Sequence, residues 1–393
     1  MPAPAITEPA VARLLVADDQ PHIRAALEML LDENGYQIEL ASCPAEVLAS
    51  VERETFDTVL LDLNYSRDTT GGAEGLELVS RIRAMDRSLP LVMMTAWGNV
   101  ELAVEAMRRG ASDFIQKPWN SGELLEKLRE QVAHGRLRRS LQRRKEEESA
   151  EAAEVQRSLL PSVLPRISGY EISALSRPKY SIGGDYYNVE RISEGRFALC
   201  IGDVAGKGLP GALLMSNLQA AVKPLMGDDL EPWEVCSRLN RRLCAVMPSN
   251  KFISFFYGVL DAATGRLTYC NAGHNPPLLL RSDGSARQLD SSGAILGQFP
   301  VWNYSQGDVS LNPGDALLLF TDGLVEACDE QGELFGEEKL LQYARRLCDA
   351  EAEVMRDALC AAASAYATGN FQDDVTLIVL RRSPGPGALP AVP

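Results

Sequence analysis

Short apolar runs that alternate with amphipathic segments are the feature that most limits how the first third of this chain can fold. The runs "RLLVA", "DTVLLD" and "LPLVMMT" begin at Arg13, Asp57 and Leu89, and "IRAALEMLLDENG" between the first two has helical spacing and a glycine stop. Buried strands of this length, separated by helices, are typical of parallel strands that are covered on both faces. The pattern therefore predicts a doubly wound α/β domain.

Polar side chains stand at the ends of these predicted strands. Asp18 and Asp19 follow the first strand, Asp62 ends the third, Thr95 ends the fourth and Lys117 follows the fifth. Because the carboxyl ends of parallel strands meet along one edge of the sheet, we expect these residues to converge there. Three carboxylates bind a hard cation such as Mg²⁺, and a lysine offsets the charge of a phosphoryl group. The set predicts that Asp62 attacks phosphorus and that Thr95 contacts a phosphoryl oxygen.

Residues 13–132 resemble a two-component response-regulator receiver domain over its full length. The motifs that carry the resemblance are "VADD", "LLDLN", "MTAW" and "FIQKPW", in this order. The resemblance implies a five-stranded parallel sheet, phosphorylation of Asp62 by a sensor histidine kinase, and Mg²⁺ bound by Asp18, Asp19, Asp62 and the Asn64 carbonyl. It also implies three switch residues, which are Thr95, Phe114 and Lys117.

Residues 133–165 have a different composition. The segment "GRLRRSLQRRKEEESAEAAEVQRSLLP" is rich in Arg and Glu, and no turn residue stands between Gly135 and Pro161. It predicts a helical linker with a thin apolar stripe that is interrupted near the Glu run. Two interpretations stay open: a coiled coil between two copies of the chain in a homodimer, or a solvated single helix.

From residue 166 to 382 the sequence predicts a third kind of structure. Runs such as "RFALCIGD", "FISFFYGVLD", "ALLLFTDG" and "VTLIVLRR" predict strands, and helical stretches occur in separate blocks between them. Strands in series with segregated helices favour an α+β fold, a β-sandwich flanked by helices. The Pro- and Gly-rich tail at 383–393 is expected to be disordered.

The segment "IGDVAGKGLPG", residues 201–211, invites comparison with a nucleotide-phosphate loop. Such a loop reads GxxxxGK followed by Ser or Thr, whose hydroxyl binds Mg²⁺. Here Gly202 and Gly206 enclose only three residues, and Lys207 is followed by Gly208. The nucleotide interpretation therefore fails twice, and Asp203 at the strand end is better understood as a metal ligand.

Other acids occupy equivalent places in this part of the chain. Asp185 in "SIGGDYYN", Asp322 in "LLLFTDGL", and Asp373 and Asp374 in "NFQDDVTLIVL" each adjoin an apolar strand or a glycine turn. A desolvated carboxylate is costly without a partner, so several such acids at strand ends predict a shared cation site.

The order "GGDYY", "DVAGKG", "FTDGLVE" and "DDVT" resembles the PPM-type metal-dependent serine/threonine phosphatases, in the bacterial branch typified by SpoIIE and RsbU. The resemblance implies two ions, Mn²⁺ or Mg²⁺, that activate a water for attack on a phosphoester in a cleft between two sheets. It implies catalytic and metal-binding roles for Asp185, Asp203, Asp322 and Asp373, with a carbonyl ligand from Val204. Asp374, next to Asp373, is a further candidate for this site. The implied substrate is phosphoserine or phosphothreonine on a partner protein, an anti-sigma-factor antagonist.

Two departures from this family keep an alternative open. Lys207 stands where the wider family often has His, and Asn188 stands where it often has Asp. The first hypothesis is a phosphatase controlled by phosphorylation of the receiver domain. The alternative is a degenerate phosphatase that acts as a phosphorylation-dependent adaptor. His274 in "NAGHNPP" is interpreted as a structural turn residue rather than a base.

Composition excludes several other classes. The net charge of −15 disfavours nonspecific nucleic-acid binding. No apolar run approaches the ~20 residues of a membrane span. The N-terminus has no signal-peptide pattern and the eight cysteines form no CxxC pair, so we expect reduced thiols and a cytoplasmic protein without nucleic-acid or membrane partners.

Overall fold

The computed structural model describes residues 11–65, 73–95, 100–227, 229–290 and 292–384. The chain divides into two compact units, residues 1–147 and 148–393. Residues 385–393 of the tail, for which disorder is expected, lie outside the described residues. All eight cysteines lie within them and all are free thiols. None of the described helices is both long and apolar enough to cross a bilayer.

The first unit contains one five-stranded parallel sheet with the order β2-β1-β3-β4-β5. Leu14 and Leu15, neighbours on β1 that face opposite sides of the sheet, are both completely buried, so helices cover both faces. The doubly wound prediction is confirmed. The strands are β1 (Arg13–Ala17), β2 (Gln37–Ala41), β3 (Thr58–Asp62), β4 (Leu91–Thr95) and β5 (Asp113–Gln116). The helices that begin in this unit are α1 (Pro21–Asp32), α2 (Pro44–Arg53), α3 (Ala73–Met85), α4 (Val100–Arg108) and α5 (Ser121–Leu159).

Helix α5 is continuous for 39 residues and runs through the predicted boundary at residue 132. Its first part is anchored in the first unit, where Arg136 and Arg139 both form ion pairs with Asp57. A side chain at Gly135 would lie 2.9 Å from the Asp57 carbonyl oxygen. The glycine therefore permits close packing of the helix and does not end it. The predicted domain limits stay predictions.

The second unit contains two five-stranded antiparallel sheets, with the orders β13-β10-β9-β8-β7 and β12-β11-β14-β15-β6. The first sheet consists of β7 (Tyr186–Ser193), β8 (Arg196–Val204), β9 (Ile253–Asp261), β10 (Arg266–Ala272) and β13 (Gly307–Ser310). The second consists of β6 (Tyr170–Arg177), β11 (Leu278–Leu280), β12 (Ala286–Gln288), β14 (Ala316–Phe320) and β15 (Val375–Arg382). The helices are α6 (Leu209–Val222), with a 3₁₀ turn at Lys223–Leu225, then α7 (Pro232–Cys244), α8 (Asp322–Val325), α9 (Gly336–Arg346) and α10 (Ala352–Tyr366).

The inner faces of the two sheets pack against each other and form one core. Ile201 and Phe256 from the first sheet share this cluster with Leu319 and Ile378 from the second, and all four are completely buried. Helices α6 and α7 cover the outer face of the first sheet, and α8, α9 and α10 cover that of the second. The predicted sandwich flanked by helices is confirmed.

The strand pairings explain how distant acids come to one end of this sandwich. Tyr186 pairs with Gly202, so Asp185 before β7 and Asp203 near the end of β8 lie at the same end of the first sheet. Phe320 pairs with Leu377, so the residues after β14 and before β15 share one end of the second sheet. A hydrogen bond of 2.8 Å from the Thr321 hydroxyl to Asp185 joins the two ends.

Candidate metal centres and active site

In the first unit the predicted acids meet at the carboxyl edge of the parallel sheet. Carboxylate oxygens of Asp18, Asp19 and Asp62 lie within 4.8 Å of one another. The Lys117 ammonium lies 2.6 Å from Asp18 Oδ2 and 3.1 Å from Asp62 Oδ1. Thr95 is buried at the end of β4, which neighbours β3. The parallel topology thus brings these five predicted residues to one edge.

The electrostatics of this edge fit a divalent cation. Burial raises the pKa of Asp62, and Lys117 opposes this rise while the charge of Asp18 adds to it. The Asn64 side-chain oxygen and the Tyr65 hydroxyl are buried and have no hydrogen-bond partner among the described residues. The three clustered carboxylates suit Mg²⁺, which prefers oxygen ligands, and the ligand role of the Asn64 carbonyl stays a prediction.

Phe114 lies farther from this chemistry. It is on β5 with 42% of its surface exposed, and its ring centroid is 5.9 Å from the Lys127 ammonium. An aromatic ring with this exposure is free to change its environment, which the predicted switch role requires. The role itself stays a prediction.

In the second unit, Asp185 and Asp203 form the centre of an acidic cluster. Burial raises the pKa of Asp203 to about 7, and the charges of Asp322, Asp373 and Asp374 add to the effect. Burial and the charge of Asp203 also raise the pKa of Asp185. Burial raises the pKa of Asp322 to about 6, with help from Glu326 and Asp373. Among the described residues, no lysine or arginine forms an ion pair with Asp185 or Asp203, so the charge of these two acids is poorly compensated.

Thr321 orients Asp185 and leaves one of its oxygens without a partner. The Thr321 hydroxyl donates to Asp185 Oδ2 and accepts the backbone N–H of Thr376 at 2.9 Å. The other oxygen, Asp185 Oδ1, is buried and has no hydrogen-bond partner among the described residues. A buried carboxylate oxygen without a partner is unfavourable, and a cation would satisfy it. The residues present therefore fit a metal ion.

The absence of a side chain at Gly184, next to Asp185, lets another backbone segment approach closely. A side chain at Gly184 would lie 3.1 Å from the Val204 carbonyl oxygen and 3.0 Å from that of Gly206. The Val204 carbonyl thus faces the residue that precedes Asp185, and its role as a metal ligand stays a prediction.

Asp374 has a different role from its neighbours. Its Oδ2 accepts the backbone N–H of Gly184 at 2.6 Å, and its Oδ1 accepts that of Lys179 at 2.7 Å. Both oxygens are thus engaged in holding the loop that carries Asp185. This geometry makes Asp374 a positioning residue for that loop.

Lys207 lies inside the acidic cluster. Its ammonium is 2.5 Å from Asp373 Oδ2 and donates to the Gln372 carbonyl at 2.7 Å. Burial lowers the pKa of Lys207, but the hydrogen bond and charge of Asp373 outweigh this effect and the net direction is upward. In the described part of the second unit, no three carboxylate, thiol or imidazole groups have ligand atoms within 4.8 Å of one another. Asp185 and Asp203 are adjacent, while Asp373 is paired with the lysine.

Three polar contacts near the site escape sequence reasoning. Gln156 of α5 forms two hydrogen bonds with the backbone of Gly183, donating at 2.7 Å and accepting at 3.0 Å. Ser254, which pairs with Asp203 across β8 and β9, lies 2.9 Å from Nδ1 of His274. Burial lowers the pKa of His274 to about 4, so the ring is neutral at neutral pH. Thr321 was also missed, although it adjoins the predicted ligand Asp322 in "FTDG".

Asn188, which stands where the wider family often has Asp, contacts the side chains of Glu190 and Met226 at 3.4 Å. His274 donates its backbone N–H to the side chain of Asn271 at 2.8 Å. The second contact supports the structural turn role expected for His274.

Comparisons with known proteins assign a family to each of the two units. The family model for the response regulator receiver domain matches residues 14–129, and that for stage II sporulation protein E (SpoIIE) matches residues 193–383. Phosphoserine phosphatase RsbU of Bacillus subtilis is 32% identical over 247 residues, which are 62% of this chain and 72% of RsbU. Protein IcfG of Synechocystis is 27% identical over 259 residues, which are 58% of this chain. The match spans only 40% of IcfG.

A solved structure supports the fold of the second unit. The SiaA-PP2C domain of Pseudomonas aeruginosa superposes with a TM-score of 0.56 at 21% identity, over 61% of this chain and 98% of that domain. The fold and the acidic site define a receiver-linked PP2C-type protein. The chain belongs to the RsbU/SpoIIE family of metal-dependent protein serine/threonine phosphatases, and it carries a response-regulator receiver domain at its N-terminal side.

Proposed function

We propose that this protein is a phosphatase that removes phosphate from phosphoserine or phosphothreonine of a partner protein, under the control of its receiver domain. One observation carries the proposal: the unpartnered buried Oδ1 of Asp185 beside Asp203, whose pKa is raised to about 7. The relationship with phosphoserine phosphatase RsbU supports this assignment. The proposed substrate protein is an anti-sigma-factor antagonist, as the sequence resemblance implies.

The acidic cluster would hold two ions, Mn²⁺ or Mg²⁺. The proposed ligands are the side chains of Asp185, Asp203, Asp322 and Asp373 and the carbonyl of Val204. When bound, such ions activate water and offset the negative charge that develops on the phosphoryl group. Thr321 fixes the orientation of Asp185, and Asp374 holds the preceding loop. Lys207, which pairs with Asp373, would also bind a phosphoryl oxygen of the substrate.

The receiver domain would supply the control. Asp62 would accept a phosphoryl group from a sensor histidine kinase, with Mg²⁺ held by Asp18, Asp19, Asp62 and Asn64. Lys117 would pair with the new negative charge, and Thr95 and Phe114 would respond to it. Helix α5 is the proposed route to the phosphatase, because it begins in the first unit and Gln156 in its last turns contacts Gly183, two residues before Asp185.

Hydrolysis of a phosphoserine peptide in Mn²⁺ tests the proposal. The wild type should release phosphate and Asp203→Asn should lose at least about 100-fold in kcat/KM, since a charged ligand is removed while the shape is kept. Activity of the wild type should change when a small phosphodonor is added, and Asp62→Asn should abolish that response. An Asp203→Asn variant with full activity would contradict the proposed metal site.

A second candidate rests on the ion pair between Lys207 and Asp373. A lysine that neutralises a metal ligand is the arrangement expected of a degenerate phosphatase that serves as an adaptor. This candidate predicts phosphorylation-dependent binding of the partner protein without release of phosphate. A wild-type protein that hydrolyses the peptide only with Mn²⁺ excludes it.

A further inference from the structure

A cavity of about 500 Å³ opens beside the acidic cluster of the second unit. Asp185 and Asp373 form part of its wall. The rest of the wall comes from the last turns of α5, the end of β6 with the turn that follows, and the segment before β15. The cavity therefore combines the proposed reaction site with surfaces that the hydrolytic chemistry does not need.

Positively charged residues also line the cavity. Arg157 of α5, Arg177 at the end of β6, and Lys179 all belong to the wall. The Lys179 ammonium donates to the Gln372 carbonyl at 2.7 Å. The two arginines are exposed, and within the described ranges neither forms an ion pair.

Two unpaired guanidinium groups at one cavity stand out in a chain with a net charge of −15. Each guanidinium presents a rigid fork of N–H donors that matches a carboxylate or phosphate in a bidentate manner. The phosphoryl group that is hydrolysed must reach Asp185 and Asp203. The two arginines belong to other elements of the wall, α5 and the end of β6, so they would meet other groups of the same substrate.

The size of the cavity limits what those groups are. Pockets of about 300–1,000 Å³ accept a small molecule or a few residues of a chain, and not a folded protein surface. Phe371 and Leu160 add apolar surface to the same wall. The cavity therefore suits a short extended segment that has a phosphorylated residue at one end.

We propose that this cavity binds the residues that flank the phosphorylated serine or threonine, and that Arg157 and Arg177 select acidic side chains there. The inference rests on the proposed function, since it names the substrate class of the same site. It assigns the two arginines as specificity-determining residues for a substrate segment that carries Asp or Glu beside the phosphorylated residue.

A charge-swap experiment on the full-length protein tests the proposal. Three fluorescent peptides of equal length carry a non-hydrolysable phosphonate in place of phosphoserine, flanked by Asp, Ala or Lys. Binding is measured by anisotropy in Mn²⁺. The wild type should bind the Asp-flanked peptide about tenfold more tightly than the Lys-flanked one, the effect expected of two exposed charge pairs. Arg157→Glu/Arg177→Glu should reverse this order.

Two controls separate a local effect from a general one. Arg241→Glu changes the same charge on the exposed face of α7, outside the cavity wall, and should keep the wild-type preference. Unchanged melting temperatures of the single variants Arg157→Glu and Arg177→Glu would show that the fold is intact. The inference is overturned if the double variant keeps the wild-type order of affinities, or if Arg241→Glu changes it equally.

Hydrolysis of p-nitrophenyl phosphate, which has no flanking residues, distinguishes this inference from the proposed function. A protein that hydrolyses it but shows no charge preference for the peptides overturns the inference alone. Charge-dependent peptide binding without any hydrolysis supports the inference and contradicts the proposed phosphatase.

Discussion

Asp322→Asn should make the metal-free protein more stable, although it removes a proposed metal ligand. Asp322 begins α8 directly after β14, and burial raises the pKa of its carboxyl from 3.8 to about 6, with Glu326 and Asp373 adding to the effect. The folded protein therefore bears a carboxylate at neutral pH in a place that disfavours the charge. Asparagine has nearly the same shape and carries no charge.

The sign and size of the effect follow from proton linkage. A carboxyl whose pKa is higher in the folded than in the unfolded state stabilises the fold at low pH, and this contribution is lost as pH rises through the folded pKa. The difference between 3.8 and about 6 corresponds to about 3 kcal/mol at about 1.4 kcal/mol per pKa unit. Partial exposure of Asp322 and salt reduce this figure. We therefore expect Asp322→Asn to gain about 1–3 kcal/mol at pH 8 and nothing near pH 4.

The assay is thermal unfolding of the full-length protein in EDTA at several pH values between 4 and 8. For a unit of this size, about 1 kcal/mol corresponds to about 2–4 °C in Tm, so Asp322→Asn should melt about 2–10 °C higher at pH 8. In Mn²⁺ the order should reverse, because ligand binding stabilises the wild type. Asp349→Asn, which changes an exposed acid, is the control and should have no effect. A gain that does not depend on pH, or a loss at pH 8 in EDTA, would refute the reasoning.

Three further predictions follow from contacts at the same site and on α5. Gly323→Ala should lower the free energy of unfolding by at least about 2 kcal/mol in urea, because the new Cβ would lie 2.0 Å from the Asp374 carbonyl oxygen; a wild-type denaturation midpoint would contradict the described packing. Lys207→Gln should release Asp373 and tighten Mn²⁺ binding several-fold by calorimetry, since the lysine lies 2.5 Å from that carboxylate; weaker binding would show that the lysine does not compete with the ion. Leu137 and Leu141 are 57% and 56% exposed, so replacing both with Glu should dissociate a homodimer in light scattering. A wild-type monomer would favour the solvated-helix interpretation of this segment.

The residues of the receiver site were largely predictable, because the topology of a parallel sheet alone brings them close together in space. Parallel strands place their carboxyl ends at one edge, so Asp18, Asp62 and Lys117 had to converge once the strands were recognised. The same logic could not place Asp374. Its adjacency to Asp373 suggests a shared role, but its oxygens accept backbone N–H groups of Lys179 and Gly184, almost 200 residues away in sequence.

In the second unit, the individual strands were readable and their partners were not. Continuous apolar runs predict β8 and β14. Nothing local indicates that Thr321, which follows β14 in one sheet, would donate to Asp185, which precedes β7 in the other. Strand β7 was hidden in the motif "GGDYYN", since its residues were understood only as part of a metal site. The sequence predicts a separate helical linker at 133–165, whereas α5 is continuous through this boundary and Gly135 allows it to pass close to the Asp57 carbonyl.

Because α5 is continuous, the kind of conformational change that it could transmit is limited. A helix of 39 residues is about 58 Å long, and its hydrogen bonds fix that length, so rotation or bending is easier than extension. Each added residue turns everything beyond it by about 100°. An insertion of seven residues between Arg139 and Gln156 would leave Gln156 on nearly the same face of the helix. An insertion of two residues would place it on almost the opposite face. The number of residues between Arg139 and Gln156 therefore determines which faces of α5 carry these two side chains.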